Sequence, residues 1–400
     1  MKVLVVNCGS SSLKYQLINP STGEVFAIGL CDRIGIPHSK LEYEVPGKDI
    51  ELEIKQDMPS HKVALQMVID QIKDPTHGVI ASTDEIDAIG HRVVHGGETF
   101  AKSVLLTEEV LAAVEANNEL APLHNPANLM GIRTCMELMP GKPNVGVFDT
   151  AFHQTMPAEA YMYALPYEDY TELKVRKYGF HGTSHLFVSE TMREIMGNPA
   201  ESKIIVCHLG NGASISAVKD GKSVETSMGL TPLQGLMMGT RCGDIDPAAV
   251  LFIKNKRNLT DKEMDDRLNK KSGILGVFGK SSDCRDMENG VKDGDARAAL
   301  AQKMMIHKIK SYVGAYAAIM GGVDAICFTG GVGENSVGVR EGVTAGLEYM
   351  GVKLDKEVNS VRKKGNVKLS QEGSQVLVYK IPTNEELVIA RDTFRIVNEK

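Results

Sequence analysis

One layout occurs twice in this chain, and it constrains the fold more than any other feature of the sequence. A short apolar run at 3–6 is followed by a turn of Asn, Cys, Gly and Ser and by an alternating segment at 13–18. The segment 204–218 repeats this order of apolar run, small-residue turn and alternating segment. The apolar run predicts a buried strand, and the alternation predicts a second strand paired with it. Each copy alone is equally consistent with an ordinary hairpin that has a serine-rich turn.

A second pair of signals follows the two hairpins in the same order. One strand is predicted to end at Asp149 and another at Thr329, just before Gly330 and Gly331. Two matching features in each half indicate an internal repeat. The sequence therefore predicts an α/β fold of two similar lobes with mixed sheets around a central cleft. Each lobe is expected to offer a turn that approaches phosphate to that shared cleft.

The predicted lobes divide the chain into three parts. We expect an N-terminal lobe over 1–150, completed by a C-terminal helix over 383–400, an inter-lobe segment over 151–201 and a nucleotide-binding lobe over 202–382. Helices are predicted at 61–72, 107–116, 125–139, 247–256, 260–270, 296–320 and 335–349, whereas 157–178 is expected to be irregular.

Two helix starts carry sequence signals. Asn125 is predicted as an N-cap, with Pro126 at the first helical position. Thr383 and Glu386 have the spacing of a capping box. That box gives Glu386 a structural role and leaves Glu385 without one.

Composition bounds the partners and the compartment. The chain has 400 residues, 42% of them hydrophobic, and a net charge of −6 without a Lys/Arg run, so nucleic acid and membrane surfaces are not expected partners. Seven cysteines without a CxxC pair argue against a disulfide framework. The N-terminal apolar run is too short for a signal peptide, and no segment reaches the roughly 18 apolar residues of a membrane span. We therefore expect a cytoplasmic protein.

Arg92 and Val94 lie two apart on a predicted strand, so they are expected on one face. A guanidinium beside a branched apolar group suits a small carboxylate with an alkyl tail. The alternative is a surface ion pair for Arg92 and core packing for Val94. Asp149 ends a strand, where open α/β sheets place ligand-binding groups, although such a residue is often only a cap.

Histidines and an arginine follow in glycine-rich surroundings. His181 lies between glycines, and Arg241 lies inside a glycine loop, where a guanidinium is suited to meet phosphoryl charge. His181 and His185 are four residues apart, as are His91 and His95. No HExxH or carboxylate pattern accompanies either pair, so zinc ligation is disfavoured. Glu385 is the candidate ligand for Mg²⁺, a cation that uses few carboxylates plus phosphate oxygens.

Nucleotide binding has to come from two glycine loops, because the chain has no GxxxxGK[ST] motif. The candidates are 210–212, in the turn of the second hairpin, and 330–335, just after the second predicted strand end. Either loop alone is equally consistent with ordinary turn chemistry.

These residues lie in long motifs that together resemble the acetate kinase family, of the acetate and sugar kinase, actin and chaperone superfamily. The motifs cover nearly the whole chain and read NCGSSSLKY, GHRVVHGG, LAPLHNP, FDTAFH, KYGFHGTSH, CHLGNGASI, TRCGDIDP, FTGGVGENS and PTNEEL. The resemblance implies ribonuclease H-like lobes of the actin and hexokinase type. It also implies reversible Mg²⁺-dependent transfer of a phosphoryl group from ATP to acetate, with Mn²⁺ as an alternative metal, and a homodimer.

The resemblance also implies roles for individual residues. Asp149, His181 and Arg241 are expected to be catalytic, and Asn7 and Glu385 to hold the metal. The substrate site is expected to comprise Arg92, Val94, Leu123, Phe180 and Pro232. The ATP site is expected to comprise Lys14, His208, Leu209, Gly210, Asn211, Gly212, Asp283, Cys284, Arg285, Gly331, Val332, Gly333, Glu334 and Asn335.

Two residues depart from the commoner family pattern, and two other functions stay open. Cys8 replaces a smaller alanine, and Cys284 replaces an aromatic near the adenine, which leaves the nucleotide-base preference open. One alternative function is a propionate or butyrate kinase of the same family. The other is an actin- or chaperone-like ATPase, which leaves Arg92 beside Val94 without a role.

Overall fold

The chain forms two mixed β-sheets, each belonging to one of two units, in a computed structural model that describes residues 1–122 and 124–399. Unit 1 comprises Met1–Phe152 and Asn384–Lys400, and unit 2 comprises His153–Thr383. Residues 153–201, expected as a segment between lobes, thus cluster with the second sheet.

The strands are named in chain order. They are β1 (Val3–Cys8), β2 (Ser12–Ile18), β3 (Val25–Asp32), β4 (Lys40–Val45), β5 (Ile50–Lys55), β6 (Ala88–Val93), β7 (Val104–Leu105), β8 (Asn144–Phe148), β9 (Lys203–Leu209), β10 (Ala213–Lys219), β11 (Lys222–Thr226), β12 (Ala325–Thr329), β13 (Val367–Lys368) and β14 (Leu377–Lys380).

The α-helices are named in the same way. They are α1 (His61–Ile72), α2 (Glu108–Glu115), α3 (Asn125–Leu138), α4 (Ala158–Tyr161), α5 (Tyr167–Leu173), α6 (Gly182–Ile195), α7 (Pro247–Lys256), α8 (Asp261–Lys270), α9 (Gly273–Phe278), α10 (Cys284–Lys292), α11 (Ala296–Met320), α12 (Gly330–Asn335), α13 (Val337–Thr344), α14 (Lys356–Ser360) and α15 (Glu385–Asn398).

The two sheets share one core topology. The sheet of unit 1 has the order β5-β4-β3-β2-β1-β6-β8-β7, and that of unit 2 has the order β11-β10-β9-β12-β14-β13. In each, an antiparallel meander, of five strands in unit 1 and three in unit 2, continues through its first strand into two parallel strands. The predicted α/β class and the predicted repeat of a strand, turn and strand are therefore confirmed.

One face of the first sheet is covered by α1 and α3. Leu4, Val6 and Cys8 of β1 point into this core, together with buried apolar side chains of α1. Gly131 of α3 allows the close approach, because a Cβ built there would lie 2.3 Å from the Cys8 sulfur. The cysteine thus fills a space that the helix glycine leaves open.

The opposite face of the same sheet is covered by α15, which contacts β1, β6 and β8. Gly90 of β6 permits this packing, because a Cβ there would lie 2.5 Å from the Thr393 hydroxyl and 2.7 Å from Ile389. The chain thus returns from unit 2 to complete unit 1 with its last helix.

The prediction for the start of α15 is wrong. Asn384 is the N-cap, and its side-chain oxygen accepts the Leu387 N–H at 3.0 Å. This shifts the cap by one residue from Thr383, so Glu386 is the second helical residue rather than the third. Its carboxylate therefore lies out of register for the reciprocal bond of a capping box.

The start of α3 also differs from its prediction. Asn125 is already helical and is preceded by His124 as N-cap. The Asn125 side chain instead brackets His95, accepting its N–H at 3.1 Å and donating to its carbonyl at 3.0 Å. The side-chain amide of Asn125, which the local pattern assigned to the helix start, thus bonds to the distant backbone of His95.

Two further segments differ from expectation. The segment 157–178 contains the short helices α4 and α5 rather than being irregular throughout. The helix predicted over 335–349 is replaced by α12, α13 and a 3₁₀ turn at Glu348–Met350, because Ser336 caps α13 by accepting the Val339 N–H at 3.1 Å.

All seven cysteines are free, and six of them are buried. Burial raises the pKa of the Cys8 thiol to about 12. Within 1–122 and 124–399, the structure contains no helix that is long and apolar enough to cross a membrane.

Candidate active site

Unit 1 joins two of the predicted site residues in a buried ion pair. Arg92 lies on β6 and Asp149 directly follows β8, its parallel neighbour. The Arg92 Nη2 lies 2.5 Å from Asp149 Oδ2, and Nε lies 3.2 and 3.1 Å from Oδ1 and Oδ2. Burial opposes the charge on Arg92, but the carboxylates of Asp149 and Glu385 outweigh it and raise the guanidinium pKa.

The remaining edge of the guanidinium faces Asn7. Arg92 Nη1 lies 3.5 Å from Asn7 Oδ1, at the far end of β1. Asn7 is paired with Lys14 across the β1–β2 hairpin, so their side chains share one sheet face. The N-terminus of α15 lies over this face, since Glu385 and Glu386 both act electrostatically on Arg92. Lys14 and Glu386 also line one cavity of about 660 Å³.

The structure thus brings together the predicted metal ligands, the predicted carboxylate-binding arginine and Asp149. Asn7 and Glu385 supply hard oxygen donors, the ligand type that Mg²⁺ takes in small number. Asp149 is fully buried, whereas the Arg92 side chain is 23% exposed. An incoming anion therefore meets the guanidinium before the aspartate.

Val94 follows the end of β6 and is buried. Its N–H donates to Asn128 Oδ1 at 3.0 Å, and Asn128 in turn donates to the Cys8 carbonyl at 2.7 Å. This asparagine on α3 ties the turn after β1 to the residue after β6. Leu123, the other predicted apolar residue from this part of the chain, lies outside the described residues.

In unit 2, His181 occupies a backbone conformation that few residues adopt. Its φ of 57° and ψ of 26° are left-handed, and it directly precedes α6. Gly179, two residues before His181, also has a positive φ, and a Cβ there would lie 2.4 Å from Thr226 and 2.7 Å from His153. The glycine thus lets this turn press against β11 and direct the imidazole.

One hydroxyl links His181 to a second histidine. Ser214 Oγ, on β10, lies 2.9 Å from His181 Nδ1 and 2.7 Å from His185 Nε2. A hydroxyl has one proton, so one imidazole accepts it and the other donates to the same oxygen. Burial keeps the pKa of His185 well below its usual value, with His153 and His208 adding to the effect. The ring orientation and tautomer of His181 are therefore coupled to a buried neutral imidazole.

His208 extends this group of histidines. Its ring stacks on His181 with centroids 4.3 Å apart, and its Nδ1 lies 2.7 Å from Ser184 Oγ. Sequence reasoning placed His208 in the ATP site but missed Ser184 and Ser214. The alternation of the segment after Gly212 was the available signal for Ser214, because it puts that side chain on a definite face of β10.

Arg241 is a guanidinium without a carboxylate partner among the described residues. Its hydrogen-bond acceptors are neutral, namely the Pro232 carbonyl at 3.2 Å and the Met238 sulfur at 3.8 Å. Burial lowers the pKa of Arg241 from its usual value. A half-buried cation with neutral partners attracts an anion strongly, because little of its charge is compensated.

The β9–β10 turn brings bare backbone to this cation and to His181. A Cβ built on Gly212 would lie 3.5 Å from Arg241 Nη1 and 3.7 Å from the His181 ring. Gly239 donates its N–H to the Asn211 carbonyl at 3.0 Å, which fixes the Arg241 loop to the turn. Three separate segments therefore meet at one point that suits a phosphoryl group.

A cavity of about 570 Å³ adjoins this turn and contains most of the predicted ATP residues. Those that line it are Gly210, Asn211, Asp283, Cys284, Arg285, Gly331, Val332 and Asn335. Residues that line it without having been predicted are Gly239, Ile274, Ser282, Glu288, Ser336 and Arg362. The other predicted ATP residues of unit 2 do not line this cavity; Leu209, for example, is buried in the sheet.

Asp283 and Arg285 line this cavity and are joined to each other. Asp283 caps α10 by accepting the Arg285 N–H at 2.8 Å, and the two side chains form a two-pronged ion pair. The Arg285 guanidinium lowers the pKa of Asp283. Cys284 between them is buried, so the position offers a small apolar surface to a base rather than an aromatic ring.

The segment 330–335 forms α12 and is held in place by two charged side chains. Glu334 accepts the Gly330 N–H at 3.1 Å. Arg340 Nη1 donates to the carbonyls of Gly333 at 2.9 Å and Glu334 at 2.8 Å. Gly330 has a φ of 77°, and a Cβ there would lie 2.7 Å from the Leu209 carbonyl, so the two glycine loops are packed together.

His91 on β6 and His95, two residues after that strand, are both buried and hydrogen-bonded within unit 1. His91 Nε2 bonds to Asn144 Oδ1 at 2.8 Å, and His95 Nδ1 accepts the Gly97 N–H at 3.0 Å. Burial lowers the pKa of each imidazole to about 4. No group of three or more His, Cys, Asp or Glu side chains in the described parts of the chain could hold a metal ion.

Comparison with known proteins shows the family of this chain. A family model described as the acetokinase family matches residues 2–391. The chain belongs to the acetokinase family. It is 77% identical over 396 residues to an acetate kinase of Fusobacterium nucleatum, an alignment that covers 99% of this chain and all of the relative.

Solved structures agree with this membership of the acetokinase family. The crystal structure of Porphyromonas gingivalis acetate kinase matches with a TM-score of 0.95 at 49% identity, covering 99% of this chain and all of that one. A propionate kinase from Francisella tularensis matches with a TM-score of 0.92 at 41% identity, covering 99% of each chain. The protein is therefore an enzyme, a kinase with ATP and a small molecule as substrates, and the acetate kinase reading is favoured over the propionate kinase alternative.

Proposed function

We propose that this chain catalyses the reversible, Mg²⁺- and ATP-dependent phosphorylation of acetate to acetyl phosphate by direct in-line transfer. One observation carries the choice of acetate, the 77% identity over 99% of the chain to a relative named acetate kinase. The geometry of the two units supports the phosphoryl chemistry independently of that name.

Electrostatic repulsion is the main obstacle to this reaction. A carboxylate oxygen is already a nucleophile, so no strong general base is needed, but acetate and the γ-phosphate are both anionic. Arg92 binds the acetate carboxylate through the guanidinium edge that Asp149 leaves open. Asp149 orients that guanidinium. The methyl group is assigned to the apolar residues Val94, Leu123, Phe180 and Pro232.

His181 and Arg241 stabilise the phosphoryl group in transit. Both lie beside Gly212, whose bare backbone allows an anion to approach. Arg241 is suited to this role because its described partners are neutral. ATP is assigned to the cavity of about 570 Å³ that adjoins this turn, together with the neighbouring residues His208, Leu209, Gly333 and Glu334.

The metal is assigned to Asn7 and Glu385, with Mg²⁺ preferred and Mn²⁺ as an alternative. Such an ion neutralises charge on the phosphate oxygens when bound. The chain contributes the amide oxygen of Asn7 at the end of β1 and the carboxylate of Glu385 at the first position of α15. Lys14, paired with Asn7, adds a positive charge on the same sheet face.

The unit boundaries support the predicted lobes. We assign residues 1–150 and 383–400 to the acetate-binding lobe and residues 202–382 to the nucleotide-binding lobe. The free and mostly buried thiols support a reducing, cytoplasmic location.

A homodimer is supported by exposed apolar side chains on unit 2. Leu251 and Phe252 of α7 are 61% and 62% exposed, and Leu300 and Met304 of α11 are also exposed. Asp244, three residues before α7, accepts hydrogen bonds from Lys308 and Tyr312 of α11. Exposed large apolar side chains are typical of association sites, and a second copy of the chain is the proposed partner.

Trapping of acyl phosphate with hydroxylamine tests the activity. Protein, Mg-ATP and each short acid are mixed, and acyl hydroxamate and ADP are measured, with an acid-free reaction as the control. We expect equal amounts of hydroxamate and ADP, and a higher kcat/KM for acetate than for propionate or butyrate. Because one methylene is worth about 1–3 kcal/mol, propionate is expected to react as a slower substrate. ADP without hydroxamate would favour the ATPase alternative.

A further inference from the structure

A second cavity of unit 2, of about 350 Å³, lies next to the nucleotide cavity and is strongly cationic. The two cavities share Asn335 and Arg362 in their walls. The charged side chains that line the second cavity are Arg340, Arg362, Lys363, Lys364, Lys380 and one carboxylate, Glu334. Five cations thus face one anion across a space large enough for two phosphoryl groups.

Two of these cations are almost fully buried. Arg340 is 3% exposed and Lys380 is 9% exposed. Arg340 donates to Asn359 Oδ1 at 2.7 Å, to the Asn359 carbonyl at 3.0 Å and to the carbonyls of the α12 segment, and Lys380 donates to the Lys363 carbonyl. Within the described chain, all of these acceptors are neutral.

Neutral acceptors satisfy the hydrogen bonds of these buried cations, and the nearby carboxylates of Glu288 and Glu334 compensate only part of the charge on Arg340 and Lys380. Taking a charge out of water is costly unless an opposite charge accompanies it. Glu334 offsets only part of the excess, since its carboxylate also serves the Gly330 N–H. Burial and the nearby Arg340 lower the pKa of Lys380, and the Glu334 carboxylate only partly opposes that effect.

We propose that this cavity is a binding site for a compact, multiply charged oxyanion of the phosphate class, separate from the nucleotide site. Guanidinium and ammonium groups that line one cavity are the donors that phosphate oxygens take. The cavity volume accommodates inorganic phosphate or diphosphate, and both present the same oxygen chemistry.

Hydrogen bonds from Arg340 connect this site to the segment that lines the nucleotide cavity. Arg340 holds the carbonyls of Gly333 and Glu334, and the same segment presents Gly331, Val332 and Asn335 to the nucleotide cavity. An anion that binds Arg340 therefore affects the backbone that lines the nucleotide cavity. The site is thus placed to act as an effector site, and it exists whether or not acetate is the acceptor substrate.

Calorimetric titration of the full chain tests the proposal. The protein is first saturated with metal-free ADP, which fills the nucleotide cavity, and is then titrated with inorganic diphosphate and, separately, with inorganic phosphate. We expect one equivalent of at least one of the two anions to bind in the presence of ADP. Failure of both anions to bind, or displacement of ADP by the bound anion, would overturn the proposal.

A pair of double variants locates the bound anion. Lys363→Gln/Lys364→Gln removes two exposed cations of the cavity wall, and Lys262→Gln/Lys303→Gln removes two exposed lysines elsewhere in unit 2. Since a hydrogen bond to a charged group contributes about 1.5–3 kcal/mol, the first double variant should weaken anion binding at least about tenfold, and the second should not. Equal weakening in both would overturn the assignment. Neither binding result depends on acetate turnover. The hydroxylamine assay tests the proposed kinase activity separately, so the failure of one proposal can be told from the failure of the other.

Discussion

Arg92 Nη2 lies 2.5 Å from the buried Oδ2 of Asp149, so the arginine proposed to bind the substrate carboxylate already holds a carboxylate of the protein. The bond joins the ends of two parallel strands, β6 and β8. It fixes the plane of the guanidinium and leaves Nη1 directed towards Asn7. This arrangement makes the pair both a structural element of unit 1 and a preorganised anion site.

Loss of Arg92 should therefore affect stability as well as acetate binding. Arg92→Ala removes the guanidinium from a buried ion pair, which is expected to cost about 3–5 kcal/mol in the free energy of unfolding and to raise the KM for acetate. Arg133→Ala is the control, because it breaks an exposed ion pair with Glu115 worth less than about 1 kcal/mol. Denaturant unfolding and initial rates measure both effects. An Arg92→Ala protein as stable as the parent would contradict the structural role.

Arg241 should affect turnover far more than stability. Arg241→Ala removes one preorganised donor for the phosphoryl group, so we expect kcat to fall by about 10²–10³. Arg257→Ala, at an exposed position after α7, should leave kcat unchanged. The hydroxamate assay at saturating substrates measures kcat, and a near-normal value for Arg241→Ala would remove this residue from the mechanism.

Neighbouring residues at the start of α15 should separate metal binding from helix stability. Glu385→Ala is expected to raise the Mg²⁺ concentration needed for half-maximal rate, because it removes a proposed ligand. Asn384→Ala removes the N-cap and is expected to lower stability by about 0.5–2 kcal/mol with less effect on the Mg²⁺ requirement. Mg²⁺ titrations and thermal unfolding of the two variants provide the comparison. Indistinguishable Mg²⁺ titrations would refute the assignment of Glu385.

Ser214 should influence the tautomer of His181 through the single proton of its hydroxyl. Ser214→Ala removes a hydrogen bond worth about 0.5–1.5 kcal/mol, so we expect kcat to fall by roughly 2- to 12-fold and its pH profile to shift. Ser214→Thr keeps the hydroxyl and should restore both. Nitrogen NMR shifts of the imidazoles report the tautomer of His181 directly. If Ser214→Ala left the tautomer and the pH profile unchanged, the coupling to His185 would have no role in catalysis.

The buried histidines of β6 should make unit 1 sensitive to acid. The folded-state pKa of His91 is lowered to about 4, so below its usual value of 6.5 the unfolded chain binds a proton that the folded chain does not. The stabilisation is complete above pH 6.5 and is lost as the pH falls towards 4, with a slope of up to about 1.4 kcal/mol per pH unit.

Thermal unfolding between pH 7 and 4 tests this pH dependence. His91→Gln retains an amide that can bond to Asn144 and lacks the titration, so its melting temperature should fall less steeply with acid. His307→Gln, at an exposed position on α11, should follow the parent curve. A His91→Gln slope equal to that of the parent would contradict the assignment.

Repeated local patterns allowed the fold to be predicted, because apolar runs and small-residue turns act over a few residues. The two hairpins and the strand ends recur at matching places in both sheets. The helix caps at Asn125 and Thr383 were predicted wrongly for the opposite reason. Asn125 bonds to His95, thirty residues away, and a local pattern contains no information about that partner.

The candidate site likewise contains residues that local patterns predict and contacts that they do not. Residues such as Arg241 were predicted because a charged side chain in a glycine-rich loop has few structural explanations. The Arg92–Asp149 bond joins residues 57 positions apart, and the Arg340–Asn359 pair lies at the edge of a cavity that no motif marks. Such contacts depend on how the strands and helices pack, which the linear order of the residues does not record.

The return of α15 to the first sheet also constrains biosynthesis. The strip of β1 and β6 beneath Ile389 and Thr393 stays without its cover until the ribosome has made all of unit 2. Unit 2 is contiguous in sequence and has every one of its own strands before that point. A nascent chain therefore carries a first sheet with one uncovered face for most of its synthesis, and we expect chaperones to bind that apolar face until the last turns of helix emerge.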